Sequence, residues 1–353
     1  MATYGRVEED CKEPRPSQAY VDPHRRIFTP AHALLLSIAA AALALAFRCG
    51  ASSGAARSSD CSWAARASPY GAASPAPAMA NEQPPILRRP AILLFGDSLT
   101  ERSLDPQGGW GAALAHHYAR KADVINRGFG GYNSRWALPV LEQVLSQVKG
   151  SGQEVLLATL WLGANDAAMP DRGAARQHVP VAEFTSNLEA MVAAMRAAGI
   201  PRVVLITPPP VDDAGRAAYQ QQRNGSASLP PPDRTDGFTS QYAKAVRGLG
   251  ARLAAPVLDL DGALRREEAW ASELLTDGLH FSPAGQALVG RLMIELLADK
   301  YPDLGLTELS NHFPWWDKYA DAGPAQEAAL WRDFMAGQGQ QAQQARVNGS
   351  KGL

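Results

Sequence analysis

From residue 91 onward, short apolar runs alternate with longer amphipathic stretches. The runs are AILLF (91–95), DVIN (123–126), EVLLATLWL (154–162), RVVLIT (202–207) and PVLDL (256–260). Between them apolar residues recur at helical spacing over about 110–121, 134–148, 183–198, 238–250 and 283–298. Strands that are apolar on both faces and joined by helices predict a parallel sheet covered on each side, an α/β domain over residues 89–320. One segment breaks the rhythm: 208–233 begins and nearly ends in a proline triplet, and its Pro and Gly content reads as a long loop, either a lid or a plain insertion.

The residues before 89 have a different texture. Residues 1–30 are polar with mixed charge, and AHALLLSIAAAALALAF (31–47) is uncharged, with Arg25 and Arg26 before it and Arg48 after it. That run is a candidate single-pass signal anchor with the folded domain on the lumenal side, or else a signal-peptide core. Residues 48–88 are Ala, Ser, Gly and Pro and read as a flexible linker. Beyond Lys300 the sheet pattern stops. NHFPWWDKY (311–319) is aromatic enough to predict that Phe313, Trp315 and Trp316 pack back on the domain, before a low-complexity tail over 321–353.

Composition narrows the function. A formal charge of −1 with 20% charged residues leaves no basic stripe for nucleic acid. All three cysteines, Cys11, Cys49 and Cys61, precede the domain, which excludes thiol catalysis within it.

Ligands of parallel sheets collect beyond the carboxyl ends of the strands, so polar residues there carry the candidate chemistry. Gly96-Asp97-Ser98 follows the first run; Gly128, Gly130 and Gly131 follow the second; Gly163, Asn165 and Asp166 follow the third. Each has a plain structural alternative: a helix cap at Asp97 or Ser98, an ordinary glycine turn, an Asx turn at Asn165. Asp277 and His280 sit three residues apart on a turn, just before Ser282 and Pro283, which read as the cap and first residue of the last helix. A serine hydroxyl needs a base, and a histidine base needs a partner that fixes its tautomer, so Ser98, His280 and Asp277 form a candidate triad. The amides of Ser98 and Gly131 and the side chain of Asn165 are candidate oxyanion donors.

Together these four blocks resemble those of the GDSL-type, or SGNH, hydrolases. GDSL is spelled out at 96–99, and Gly131, Asn165 and DGLH (277–280) match the remaining blocks. Within that superfamily GGWGAALA, KADVINRGFGGYNSRWAL, GANDAAMP and LITPPPVD resemble the isoamyl acetate-hydrolysing esterases and their plant relatives. The resemblance implies a flavodoxin-like, three-layer α/β/α sandwich around a five-stranded parallel sheet. It also implies cofactor-free hydrolysis of small acyl esters, with a sugar O-acetyl ester or acyl transfer as the alternative. One departure is Gly130, where these esterases would be expected to carry serine. Two rivals are weaker. A metal-dependent phosphoesterase would use Asp97, Asn165, Asp166, Asp277 and His280 as ligands but lacks further histidines at strand ends. A retired, non-catalytic domain would have no need of both a base and its orienting acid. The sequon asparagines Asn224 and Asn348, and the histidines His116, His117, His178 and His312, take no role in this reading.

Overall fold

A computed structural model of the chain describes residues 88–320, 322–323, 326–327 and 329–334. The candidate anchor at 31–47, the linker up to residue 87 and the end of the tail lie outside the described residues. Among the described residues, no helix is long and apolar enough to cross a membrane.

Five strands form one parallel sheet: β1 (Ala91–Gly96), β2 (Asp123–Gly128), β3 (Val155–Trp161), β4 (Val203–Ile206) and β5 (Val257–Leu258), in the order β2-β1-β3-β4-β5. All six residues of β1 are buried, as its uninterrupted apolar run demands for a strand next to the middle of a sheet covered on both faces. Alternate residues point to opposite faces. Ala91, Leu93 and Phe95 join one core and Ile92 and Leu94 the other.

The helices supply the outer layers. A short α1 (Ser98–Glu101) follows β1 directly, and α2 (Trp110–His117) follows after a 3-10 turn. Next come α3 (Ser134–Ser151), α4 (Val181–Ala197), α5 (Asp213–Asn224), α6 (Asp236–Leu253), α7 (Leu260–Leu264), α8 (Pro283–Lys300) and α9 (Asp317–Ala320). Leu141, Leu188, Met191 and Val246 bring α3, α4 and α6 onto the Phe95 face, while Leu114, Val289 and Met293 bring α2 and α8 onto the Ile92 face. The result is the expected three-layer α/β/α sandwich. Its strand order reverses between β1 and β3, which opens a crevice at their carboxyl ends.

Three expectations need correction. Segment 208–233 is not loop throughout, because α5 occupies Asp213–Asn224. Its proline triplets lie outside the helix. Asp212 caps the start by accepting from Ala214 N–H, and Gly225, at φ 62°, closes the end in the left-handed conformation. Asp277 and His280 do not lie at a strand end either. They follow β5 and α7 on a turn closed by an antiparallel bridge between Leu275 and Phe281. Finally, Trp316 is 75% exposed and does not pack back. Phe313 and Trp315 are exposed too: the Phe313 ring meets Trp331 and Phe334 of the segment after residue 320 rather than the domain, and Trp315 lies under the Arg120 guanidinium, 4.2 Å from ring centre to carbon.

Candidate active site

β1 delivers Ser98 to the crevice by ending abruptly. Asp97 is fully buried, caps α1 by accepting from Leu99 N–H at 2.9 Å, and so turns the chain within two residues of the sheet. This leaves Ser98 as the first helical residue. Its side chain faces His280, with Oγ 2.9 Å from Nε2 across 182 residues of sequence.

The imidazole is held from behind. His280 Nδ1 lies 2.8 Å from Asp277 Oδ2, and an ionised carboxylate only accepts, so Nδ1 carries the proton and Nε2 is left to accept from Ser98. Asp277 Oδ1 in turn accepts from the backbone N–H groups of Leu279 and His280, at 3.1 and 2.8 Å. Burial alone would raise the Asp277 carboxyl. The hydrogen bonds from His280 and the nearby Arg216 charge outweigh it and hold the group well below the usual carboxylate range. Burial pushes the His280 imidazole below its ordinary value, with Asp277 opposing. The turn that carries the pair needs glycine at 278: φ is 76°, and a Cβ there would stand 2.4 Å from Arg216 N and 2.5 Å from Asp212 O.

The other two blocks meet at the same place. Gly131 adopts φ 81° in the turn after β2, and neither its amide nor that of Ser98 is spent on a protein acceptor among the described residues. Gly130 donates to Glu101 Oε2 at 2.7 Å, and a Cβ at 130 would stand 2.9 Å from Glu101 Oε1. The space a serine would need is thus filled by the Glu101 carboxylate, which anchors the turn by another route. Asn165, beyond β3, donates one Nδ2 hydrogen to Tyr132 O at 2.9 Å, leaving a second donor for the cleft.

A buried ionic chain that the sequence did not reveal lies beneath these donors. Arg234, 2% exposed, donates Nη2 to Asn165 Oδ1 at 2.8 Å and to Gln177 Oε1 at 2.6 Å, and Nε to Ala164 O at 2.6 Å. Its Nη1 meets Asp233 Oδ2 at 2.7 Å. Asp233 is also clasped in two places by Arg216, whose Nη1 lies 3.3 Å from Asp277 Oδ2. The chain Asn165–Arg234–Asp233–Arg216–Asp277 therefore ties the amide of one block to the acid of another. Gln177 completes the hold by donating to Gly131 O at 2.8 Å. The only one-dimensional hint of it was the adjacent pair Asp233-Arg234 beside a proline run.

Two further carboxyls are buried below Ser98. Burial raises Asp97 to about 7, against the Leu99 N–H and helped by the nearby Asp166 charge, and burial raises Asp166 to about 6 against a hydrogen bond from Ser134. Among the described residues, no group of three or more His, Cys, Asp or Glu side chains is placed to hold a metal ion. His178 packs its ring near Phe238 with Nδ1 3.2 Å from Asp166 O, remote from the triad role. The open cleft has a volume of about 600 Å³ and is lined by Ser98, Gly131, Asn165 and His280 together with residues of α5.

The chain is similar to several known proteins. The family described as GDSL-like lipase/acylhydrolase matches residues 94–288. A GDSL esterase/lipase of Arabidopsis thaliana is 42% identical over 202 residues, 57% of this chain and 82% of that protein. The isoamyl acetate-hydrolyzing esterase 1 homolog of Bos taurus is 39% identical over 238 residues, 67% of this chain and 90% of its own. Among solved structures, the lipase/acylhydrolase from Enterococcus faecalis is 28% identical, covers 60% of this chain and 96% of its own, and has a TM-score of 0.47. With more than half of its residues matched, the chain belongs to the GDSL-like lipase/acylhydrolase family and is a carboxylic ester hydrolase.

Proposed function

We propose that the protein hydrolyses esters of short acyl groups, acetate above all, by a serine mechanism. In this reading Ser98 Oγ attacks the acyl carbon while His280 Nε2 takes the hydroxyl proton, and Asp277 stabilises the imidazolium that results. The Ser98 and Gly131 amides and Asn165 Nδ2 hold the oxyanion. The tetrahedral species collapses as His280 returns the proton to the leaving alkoxide, releasing the alcohol. Water, activated by the same imidazole, then frees the acid from Ser98. The observation that carries this reading is the continuous hydrogen-bonded line from Ser98 through His280 to Asp277. The name of the Bos taurus relative, isoamyl acetate-hydrolyzing esterase 1 homolog, supports the choice of acyl group.

Acyl length is the discriminating variable. We expect kcat/KM for p-nitrophenyl acetate to exceed that for the decanoate by roughly tenfold or more; the reverse order would point to a lipase instead. The base must be neutral to accept the serine proton. Because burial lowers its pKa, the acid limb of kcat/KM against pH should have its midpoint below the ordinary histidine value of 6.5.

For placement, the uncharged run 31–47 with basic residues before it supports a single-pass anchor holding the domain on the lumenal side. The full chain is then expected in the membrane pellet after carbonate washing. Recovery in the soluble fraction would end that reading.

A further inference from the structure

A pocket that selects a branched alkyl ester gains affinity by burying the alkyl group against apolar side chains. The cleft beside Ser98 offers little of this: among the described residues, Leu279 is the one large aliphatic side chain in its lining. Five arginines line it instead, Arg102, Arg176, Arg216, Arg223 and Arg234, against the carboxylates of Glu101 and Asp233. The buried pair, Arg216 and Arg234, is spent on Asp233 and Asp277. Arg102, Arg176 and Arg223 are exposed, and none makes a side-chain hydrogen bond or ion pair among the described residues. Glu101, the remaining acid, already accepts from Gly130.

The three uncommitted guanidinium groups come from three separate segments: the 3-10 turn Arg102–Leu104 after α1, the 3-10 turn Ala175–Gln177 and the last turn of α5. Their convergence on one cleft concentrates positive potential there, an arrangement that an anion relieves. Arginine also presents a planar fork that matches carboxylate and phosphate oxygens. Asn224 and the Gln220 amide N–H groups, in the lining of the same cleft, add hydrogen-bonding groups that suit a polar guest rather than a hydrocarbon; Gln220 Oε1 already accepts from Asp233 N–H.

We propose that the cleft recognises short acyl esters whose alcohol part bears an anionic group, a carboxylate or a phosphate, and that Arg102, Arg176 and Arg223 hold that group. This proposal rests on the reading of Ser98 as nucleophile, since it places the anion at the far end of the leaving group. The bond broken is still the acyl ester. The products are the short acid and an anionic alcohol, with water as the only co-reactant.

A matched pair of probes tests it: 4-acetoxybenzoate, which is anionic, and 4-acetoxybenzamide, its neutral counterpart. With the full chain at low ionic strength, kcat/KM should favour the anion by roughly tenfold, chiefly through KM, and the preference should shrink toward parity at ~0.5 M salt. The triple variant Arg102→Gln, Arg176→Gln, Arg223→Gln should bring the ratio to about one, whereas the corresponding triple lysine variant should keep most of it. Equal turnover of the two esters by the natural protein, or a ratio unmoved by the glutamine triple, overturns the proposal. Loss of both activities in Ser98→Ala separates the two claims. If that loss occurs without any charge preference, only the anion site fails; if Ser98→Ala turns over both esters normally, the nucleophile and the anion site fail together.

Discussion

Ser98→Ala and His280→Ala are each expected to lower kcat for p-nitrophenyl acetate by about 10⁴-fold or more, and the double variant by little more than either alone. The reason is geometric. At 2.9 Å from Nε2, the hydroxyl is activated only through this imidazole, and the imidazole has no other proton to take in the first step. Removing either partner therefore removes the same step. Residual turnover should come from the oxyanion donors, which neither change disturbs. Both side chains line an open cleft, so circular dichroism spectra and melting temperatures should stay close to those of the natural protein. A double variant whose loss equals the product of the single losses would place the two residues in independent steps, contrary to the geometry.

Arg234→Leu is expected to cost both stability and rate. It leaves Asp233 with Arg216 alone and strips donors from Asn165 Oδ1, Gln177 Oε1 and Ala164 O. Breaking a buried ion pair from one side costs about 3–5 kcal/mol, measurable by urea unfolding. The effect on rate follows from Asn165. Its Oδ1 is pinned by a cation and its Nδ2 by Tyr132 O, so the second N–H points into the cleft without any cost of reorientation during reaction. Without Arg234 the amide keeps only its bond to Tyr132 O and a long one from Gln177 Nε2 at 3.3 Å, so it is held less firmly, and kcat should fall by about 10²-fold while KM changes less. Arg234→Lys restores a charge but not the fork that reaches four acceptors, and should recover stability more than rate. An Arg234→Leu protein with normal kcat would show that Asn165 needs no such support.

Much of this site could be read from the sequence because strand ends and turns are local. Ser98, Gly131 and Asn165 each follow an apolar run, and a parallel sheet brings the carboxyl ends of β1, β2 and β3 together whatever the loops do. The Asp277–His280 pair was legible for another reason, its i, i+3 spacing on a turn before a capped helix, although no strand end delivers it. What stayed hidden is long-range and polar. Arg234 meets Asn165 and Gln177 only after β3 and the 3-10 turn have folded beside it, and nothing in a proline-rich neighbourhood marks an arginine as buried. Helix α5 was obscured by the prolines at either end of 208–233, although Asp212 as a cap and Gly225 as a terminator were both in plain view. Trp316 shows the converse error: aromatic character alone does not decide burial, and here only its neighbours Phe313 and Trp315 found partners.

The most direct test of the central claim is covalent. A serine-directed fluorophosphonate incubated with the full chain should give one adduct per molecule, mapped by peptide mass spectrometry to Ser98, with inactivation in step with labelling. Prior conversion of Ser98→Ala should abolish the adduct. An adduct on another serine that accompanies loss of activity, or full inactivation with Ser98 unmodified, would contradict the account.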